Sequence, residues 1–387
     1  MSVVNDATRP PAGIAHSDAA LLLYYDEYHT PIAELKAALP LLRTLFVDIG
    51  GDTKLPDRDR IDGSVSVDFV SQYANQFLLP AIRANARYQE GYNLSAALAR
   101  PALALAAAAR AVEGSYRLFV HGFAGNDQVR FEGALSTLCP GLRICSVKDL
   151  IGSRTKSNDD EHTRSSNLWG HTIEAGPLAD LGSSSATLAE FHGAVASEIV
   201  EIELTFEAGT PVALNGNPLP LDRLILELNA LGACVGVRGH DIVEDGFVGL
   251  KTRALYWNPA SDIIIEAHRD LASVTSSRRQ NLFRPIVEAQ WATLVYEGGW
   301  FDPFRETLDH YFEVADRYTT GVVTVRIEGG RPRVVARRPR DGLYDERHCV
   351  YRAGQDFGNE LVRGLGDQLS MIGRLHAERQ GVTPCAA

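Results

Sequence analysis

The chain has 387 residues, of which 45% are hydrophobic and 22% charged, the proportions of a soluble globular protein with roughly two to three domains of ordinary size. Its 49 acidic residues outnumber 38 basic ones and give a net charge of −11, which argues against a broad nucleic-acid surface and for small-molecule partners. The longest apolar stretch, residues 97–112, is interrupted by Arg100 and Pro101 and is too short to cross a bilayer, so no membrane association is expected.

Residues 1–17 lack a charged start followed by an apolar core and read as a loose tail rather than a secretion signal. Residues 21–25 (LLLYY) and 44–50 (TLFVDIG) read as strands around a helix over 31–42, where Ile32, Leu35, Leu39 and Leu42 recur at helical spacing after Pro31. Helices are expected over 67–88 and 94–113, then a buried strand over 116–122, a helix over 126–138 and a strand in LRICSV at 142–147. This alternation predicts an α/β domain over 18–165, a doubly wound parallel sheet with ligands at the carboxyl ends of its strands.

The polar run at 151–167 reads as a linker or mobile loop. Beyond it, 198–214 and 321–339 carry strand, turn, strand signals, so a second, α+β domain is expected over 166–354. In the last segment, 355–387, Leu361, Leu365, Leu369, Ile372 and Leu375 form a helical stripe that needs another surface to cover it. Cys139, Cys145, Cys234, Cys349 and Cys385 are odd in number and have no metal-ligand spacing, which fits reduced thiols in a cytoplasm and no metal site.

The turn after the first strand poses a chemical problem. Strand, turn, helix is how phosphate-binding folds often begin, with glycines that let backbone amides approach the anion. Here the turn is Tyr24, Tyr25, Asp26, Glu27, Tyr28, His29 and Thr30, with no glycine and two carboxylates. Asp26 and Glu27 read as a solvated acidic pair rather than a metal or general-base pair, and His29 as a cap for the helix that starts near Pro31.

At GNDQVRFE (125–132) the chain resembles the argininosuccinate synthase family. Further strings support this in the same order: LARP (98–101), NLWGHTIEAGPL (167–178), GTPVALNG (209–216), DIVEDGFVGLKTRALY (241–256), AHRDL (267–271) and GLYDE (342–346). The resemblance implies an N-type ATP-pyrophosphatase domain of the adenine nucleotide alpha hydrolase type, a synthetase and multimerisation domain, and a C-terminal helix that clasps subunits in a homotetramer. It also implies carbon–nitrogen bond formation between citrulline and aspartate, after ATP activates the ureido oxygen. ATP and Mg²⁺ enter here only if the altered first turn still holds a nucleotide.

Carried over by position, the citrulline contacts fall on Tyr92, Asn126, Asp127, Arg130, Thr163, Thr172, Glu244 and Tyr256, with Asp127 and Arg130 also the candidates for a catalytic role. Arg130 suits a substrate carboxylate and Asp127 an ammonium group. Capping of a helix start is the alternative for Asn126 and Asp127. A family serine falls on Ala97, and Gly246 stands where the family usually has arginine. Between the HG and GNDQ strings the family loop carries a threonine and is longer, whereas Phe123 and Ala124 offer no hydroxyl to aspartate. Gly122 either touches a nucleotide or permits a tight turn.

In the family the first turn reads approximately AYSGGLDTS. Here Tyr25, Asp26 and Glu27 replace Ser-Gly-Gly, His29 replaces the acidic residue, and Pro31 replaces the final serine. A carboxylate about 4 Å from a phosphate charge opposes it by roughly 4 kcal/mol at an effective dielectric near 20. The expectation is therefore an enzyme for a citrulline-like or aspartate-like amino acid, in specialised metabolism, without the family's usual ATP loop and supplied with an activated substrate by a partner enzyme. A catalytically silent, amino-acid-binding or partner-stabilising homologue and an ordinary ATP-dependent argininosuccinate synthase are the competing readings.

Overall fold

The computed structural model of the chain describes residues 19–23, 31–51, 64–89, 91–152, 163–183, 199–247, 249–346 and 359–380. The turn Tyr24–Thr30, the tail 1–17 and most of the polar run at 151–167 lie outside the described residues. Two compact units divide the chain, Met1–Gly342 and Leu343–Ala387.

The first unit opens with β1 (Ala20–Leu23), α1 (Ile32–Ala38), β2 (Leu42–Asp48) and β3 (Val65–Asp68). Helix α2 runs through Val70–Tyr73, a π-helical turn Ala74–Leu78 and Leu79–Arg83. There follow α3 (Ser95–Glu113), β4 (Leu118–His121), α4 (Gly125–Leu138), β5 (Arg143–Ser146) and α5 (Val147–Ile151). The strands pair in parallel in the order β3-β2-β1-β4-β5. Both faces of β1 are covered: Leu21 and Leu23 enter one hydrophobic cluster, Ala20 and Leu22 the other. That is the period of two expected of a central strand in an all-parallel sheet. Strand order reverses between β1 and β4, and this switch point is where ligands bind in such folds.

The expected elements are present with shifted bounds. Helix α1 stops at Ala38 because Leu39 precedes Pro40, whose ring disfavours helical backbone in the residue before it, and Leu42 already belongs to β2. The start of the helix expected at 67–88 is instead β3, in which Val65 and Val67 turn toward the core. Helix α3 is the one described helix long and apolar enough to cross a membrane, and it is a core helix with most of its length buried.

The unit continues with β6 (Thr163–Asn167), β7 (Gly170–Glu174), β8 (Val200–Glu207), β9 (Thr210–Leu214), β10 (Asn217–Pro218) and α6 (Leu221–Val235). Then come β11 (His240–Asp245), β12 (Lys251–Trp257), α7 (Pro259–Thr275), α8 (Arg278–Tyr296), α9 (Pro303–Ala315), β13 (Gly321–Glu328) and β14 (Arg331–Pro339). They build two antiparallel sheets, β11-β12-β7-β6 and β10-β9-β8-β13-β14. The hairpins expected at 198–214 and 321–339 are β8/β9 and β13/β14. Thr163 to Asn167, read as linker, is a strand paired with β7. Its polarity misled because one face of it lines a polar cavity. In the second unit, α10 (Asn359–Arg379) carries Leu365, Leu369, Ile372 and Leu375 as exposed side chains.

A buried polar cluster ties the parallel-sheet part to the helices that follow it. Arg284 of α8 donates to Asp316 at 2.6 Å and to the Arg83 carbonyl. His268 of α7 faces Asp316 at 3.2 Å and Asn85 at 2.7 Å. Burial alone would raise the Asp316 carboxyl, but His268 and Arg284 outweigh it and hold it down to about 2. A carboxyl that binds protons less readily folded than unfolded adds stability above pH ~4, and loses it as pH falls toward ~2. Wild-type unfolding free energy should therefore drop by about 2 kcal/mol over that window from this group. Urea titrations of Asp316→Asn should lack this step and show a loss of about 3 kcal/mol at pH 7, because buried Arg284 then keeps Glu288 as its charged partner but loses the bidentate Asp316 carboxylate.

Candidate functional site

A cavity of about 340 Å³ opens at the carboxyl end of β4, on the switch-point side of the parallel sheet. The loop Gly122, Phe123, Ala124 and Gly125 forms one wall, where Gly125 at φ +58 turns the chain into α4. Arg100 of α3 and Asp127 of α4 form another, and the β6/β7 hairpin supplies Thr163, Ser165, Thr172 and Glu174. Strand register explains the hairpin's contribution: Thr163 lies opposite Glu174 and Ser165 opposite Thr172, so alternate positions present hydroxyls and a carboxylate to one face.

Asp127 is the hub of the charge in this site. It accepts from Arg100 Nη2 at 2.6 Å and from Arg130 Nη1 at 3.0 Å. Burial opposes its charge, yet the two guanidinium groups prevail and hold its carboxyl below the ordinary carboxylate range. Arg100 and Arg130 are only 3% and 4% exposed. Arg130 Nε donates to the Tyr296 carbonyl at 2.8 Å, while its Nη2 finds no partner among the described residues.

Behind the cavity wall lies a buried aromatic layer. Tyr92 stacks on Tyr256 at 4.3 Å and meets Tyr296 edge-on. The Arg130 guanidinium sits 4.6 Å from the Tyr296 ring centre and 5.2 Å from that of Phe247. The Tyr92 hydroxyl accepts from the amides of Ala96 at 3.1 Å and Ala97 at 3.3 Å. It thereby supplies the cap that α3 lacks, since Leu94 at its N-cap has no side-chain oxygen. Tyr296 donates to Glu244 at 3.3 Å, and burial raises the Glu244 carboxyl.

The residues expected from the sequence thus fall into two layers. Asp127, Thr163 and Thr172 line the cavity, as does Gly122. Tyr92, Arg130, Glu244 and Tyr256 lie in the layer behind, joined to the wall by the Asp127–Arg130 pair and by the Tyr256–Thr172 register. Asn126 is half-buried in the first turn of α4, facing Gly246, where a side chain's first carbon would stand 3.5 Å from its amide nitrogen. Sequence reasoning missed Arg100, Ser165, Glu174, Phe247 and Tyr296. All but Ser165 and Tyr296 stood inside strings that carried the family resemblance. Among the described residues no group of three or more His, Cys, Asp or Glu could hold a metal ion.

Glu174 differs from Asp127 in its electrostatics. It is exposed to the solvent of the cavity, yet the protein behind it withdraws enough water to raise its carboxyl. That burial comes first, Asp127 and Glu244 add to it, Arg130 and Arg100 oppose it, and the carboxyl is pushed up to about 7. The site therefore holds one carboxylate locked in its charged form and a second that changes charge near neutrality.

Two family models match the chain, Arginosuccinate synthase N-terminal HUP domain over residues 54–165 and Arginosuccinate synthase C-terminal domain over residues 163–375. A protein described as argininosuccinate synthase from Brevibacillus brevis (strain 47 / JCM 6285 / NBRC 100599) is 35% identical over 323 residues, 78% of this chain and 77% of that protein. The first match begins downstream of β1 and of residues 24–30.

Backbone strain sits beside Glu174. Ala175 adopts φ 62 and ψ −162, a region that side chains other than glycine's hydrogen rarely tolerate. Such strain costs about 1–3 kcal/mol, against a loss of about 0.5–1 kcal/mol when glycine enlarges the unfolded ensemble. Ala175→Gly should therefore stabilise the protein by about 1 kcal/mol, read as a higher melting temperature, and a lower one would show that the strain is compensated elsewhere.

Proposed function

The chain belongs to the argininosuccinate synthase family, a family of carbon–nitrogen ligases, and from that premise we propose that it acts on a citrulline-like amino acid in carbon–nitrogen bond chemistry. The observation that carries the reading is the cavity in which Asp127 is held charged between Arg100 and Arg130, beside the hydroxyls of Thr163, Ser165 and Thr172. A zwitterion needs carboxylates for its ammonium group and cations for its carboxylate within one pocket, and hydroxyls suit a ureido or amide group. Holding two such molecules in contact accelerates their joining by proximity.

The composition of the first turn opposes ATP in its usual family mode: Asp26 and Glu27 bring negative charge where a pyrophosphate would bind, Tyr25 stands where the family has serine, and Pro31 removes both a hydroxyl and an amide donor. ATP with Mg²⁺ would supply activation of the ureido oxygen. We infer instead that this protein receives its substrate already activated by a partner enzyme in specialised metabolism. The exposed stripe of α10 supports association with a covering surface, and the homotetramer that the family resemblance implies is the assembly we propose.

Incubation with citrulline, aspartate, Mg²⁺ and ATP should release no pyrophosphate above background, and stoichiometric AMP and pyrophosphate would overturn the ATP part of this proposal. A ligand-dependent rise in melting temperature with no product from any activated substrate would favour the silent homologue instead.

Glu174 supplies a pH test of the pocket. Its carboxyl gains charge as pH rises through about 7, so affinity for an ammonium group should strengthen between pH 6 and 8, on the order of tenfold. Calorimetric titration of citrulline should show this rise in the wild type and a flat profile in Glu174→Gln.

A further inference from the structure

Strand β4 ends in His121, whose imidazole is fully buried yet has both ring nitrogens engaged. Nε2 lies 2.9 Å from Glu132 Oε1 of α4, and Nδ1 accepts from the Phe123 amide at 3.1 Å. An amide N–H can only donate, so Nδ1 carries no proton and the proton of the neutral ring sits on Nε2, donated to Glu132. Burial agrees, for it lowers the proton affinity of His121 against the pull of Glu132 and Asp149. Gln128, one turn before Glu132 on α4, donates to the same carboxylate oxygen at 2.8 Å and holds it in place.

The contacts continue past Phe123. Its ring lies over the Arg100 guanidinium at 4.4 Å and packs on Phe131 at 4.9 Å, while Arg100 pairs with Asp127. A closed circuit results: it leaves α4 at Glu132, passes through His121, Phe123 and Arg100, and re-enters α4 at Asp127. Phe123 and Ala124 stand between two glycines, and Ala124 at the N-cap of α4 makes no side-chain hydrogen bond, so the backbone alone restrains this stretch weakly.

We propose that His121 is a positioning residue: as acceptor for the Phe123 amide it fixes the loop 122–125, and through Phe123 it sets where Arg100 meets Asp127 in the cavity. A buried imidazole thereby shapes a wall that it does not itself reach. The hold on the loop needs no ligand, and only the citrulline titration in its test rests on the amino-acid reading above.

The full-length variants His121→Asn and His121→Gln separate this role from packing. Asparagine puts its carbonyl oxygen where Nδ1 stood and keeps an acceptor for the Phe123 amide, whereas glutamine puts its amide near Nε2, serves Glu132 and leaves the Phe123 amide unpaired. By NMR, exchange of the Phe123 amide hydrogen with solvent should quicken at least about tenfold in His121→Gln and stay within about threefold of the wild type in His121→Asn. Long-range nitrogen correlations of the wild-type ring at pH 7 should show a bare Nδ1 and a protonated Nε2, the signal being assigned by its loss in the variants. Citrulline affinity, read by calorimetry, should fall at least about fivefold in His121→Gln and be kept in His121→Asn. An imidazolium ring, the opposite tautomer, equal amide exchange in the two variants, or wild-type citrulline affinity in His121→Gln would each overturn the inference. Citrulline binding to none of the three proteins would refute the amino-acid reading, while amide exchange and the ring nitrogens would still decide the role of His121.

Discussion

The ion-paired row Arg100–Asp127–Arg130 is the constraint on which the rest of the site depends. Two guanidinium groups, each almost fully buried, can be kept from water only if a carboxylate and further acceptors meet them. Asp127 does so with one oxygen for each arginine, and the Tyr296 carbonyl takes the Arg130 Nε. Because Arg100 comes from α3 while Asp127 and Arg130 sit one turn apart on α4, the row fixes how those helices face each other. With three charges in a line the cluster keeps a net charge of one positive unit, which the neighbouring Glu174 and Glu244, both with raised carboxyls, offset. That excess of charged groups is poorly suited to stability alone, since well-packed apolar residues often serve a core better. It suits a ligand with charges of both signs.

The second layer shows how stability and recognition share residues. Tyr92 caps α3 through Ala96 and Ala97 while its ring stacks on Tyr256, whose strand partner Thr172 faces the cavity. A change in the cavity wall is therefore felt at the start of α3, and the start of α3 orients Arg100. The strained backbone at Ala175 belongs to the same logic, for it follows the carboxylate whose charge is set by its surroundings.

Much of this was legible in the sequence, and the gaps have physical causes. The parallel-sheet domain could be read because β1 and β4 are short apolar runs flanked by helical periodicity. Strand β3 was lost in the helix expected after it, since four residues of alternating character give little period to detect. Strand β6 was hidden for the opposite reason: a strand whose face lines a polar cavity has the composition of a loop. At the site, similarity by position gave Asp127, Arg130, Thr163 and Thr172, but not that Asp127 also pairs with Arg100, because that pairing depends on the approach of α3. Arg100 read as an interruption of an apolar helix, and only the packing shows it beside Asp127. The altered first turn, which lies outside the described residues, was legible through its composition: two carboxylates and a proline where an anion would need glycines and amide donors.

The most direct measurement is a crystal structure of the protein soaked with citrulline at saturating concentration. The account predicts density for the amino acid in the cavity between the β6/β7 hairpin and α4, with its ammonium group within hydrogen-bond reach of Asp127 or Glu174. An empty cavity, or citrulline bound away from the Arg100–Asp127–Arg130 row, would contradict it.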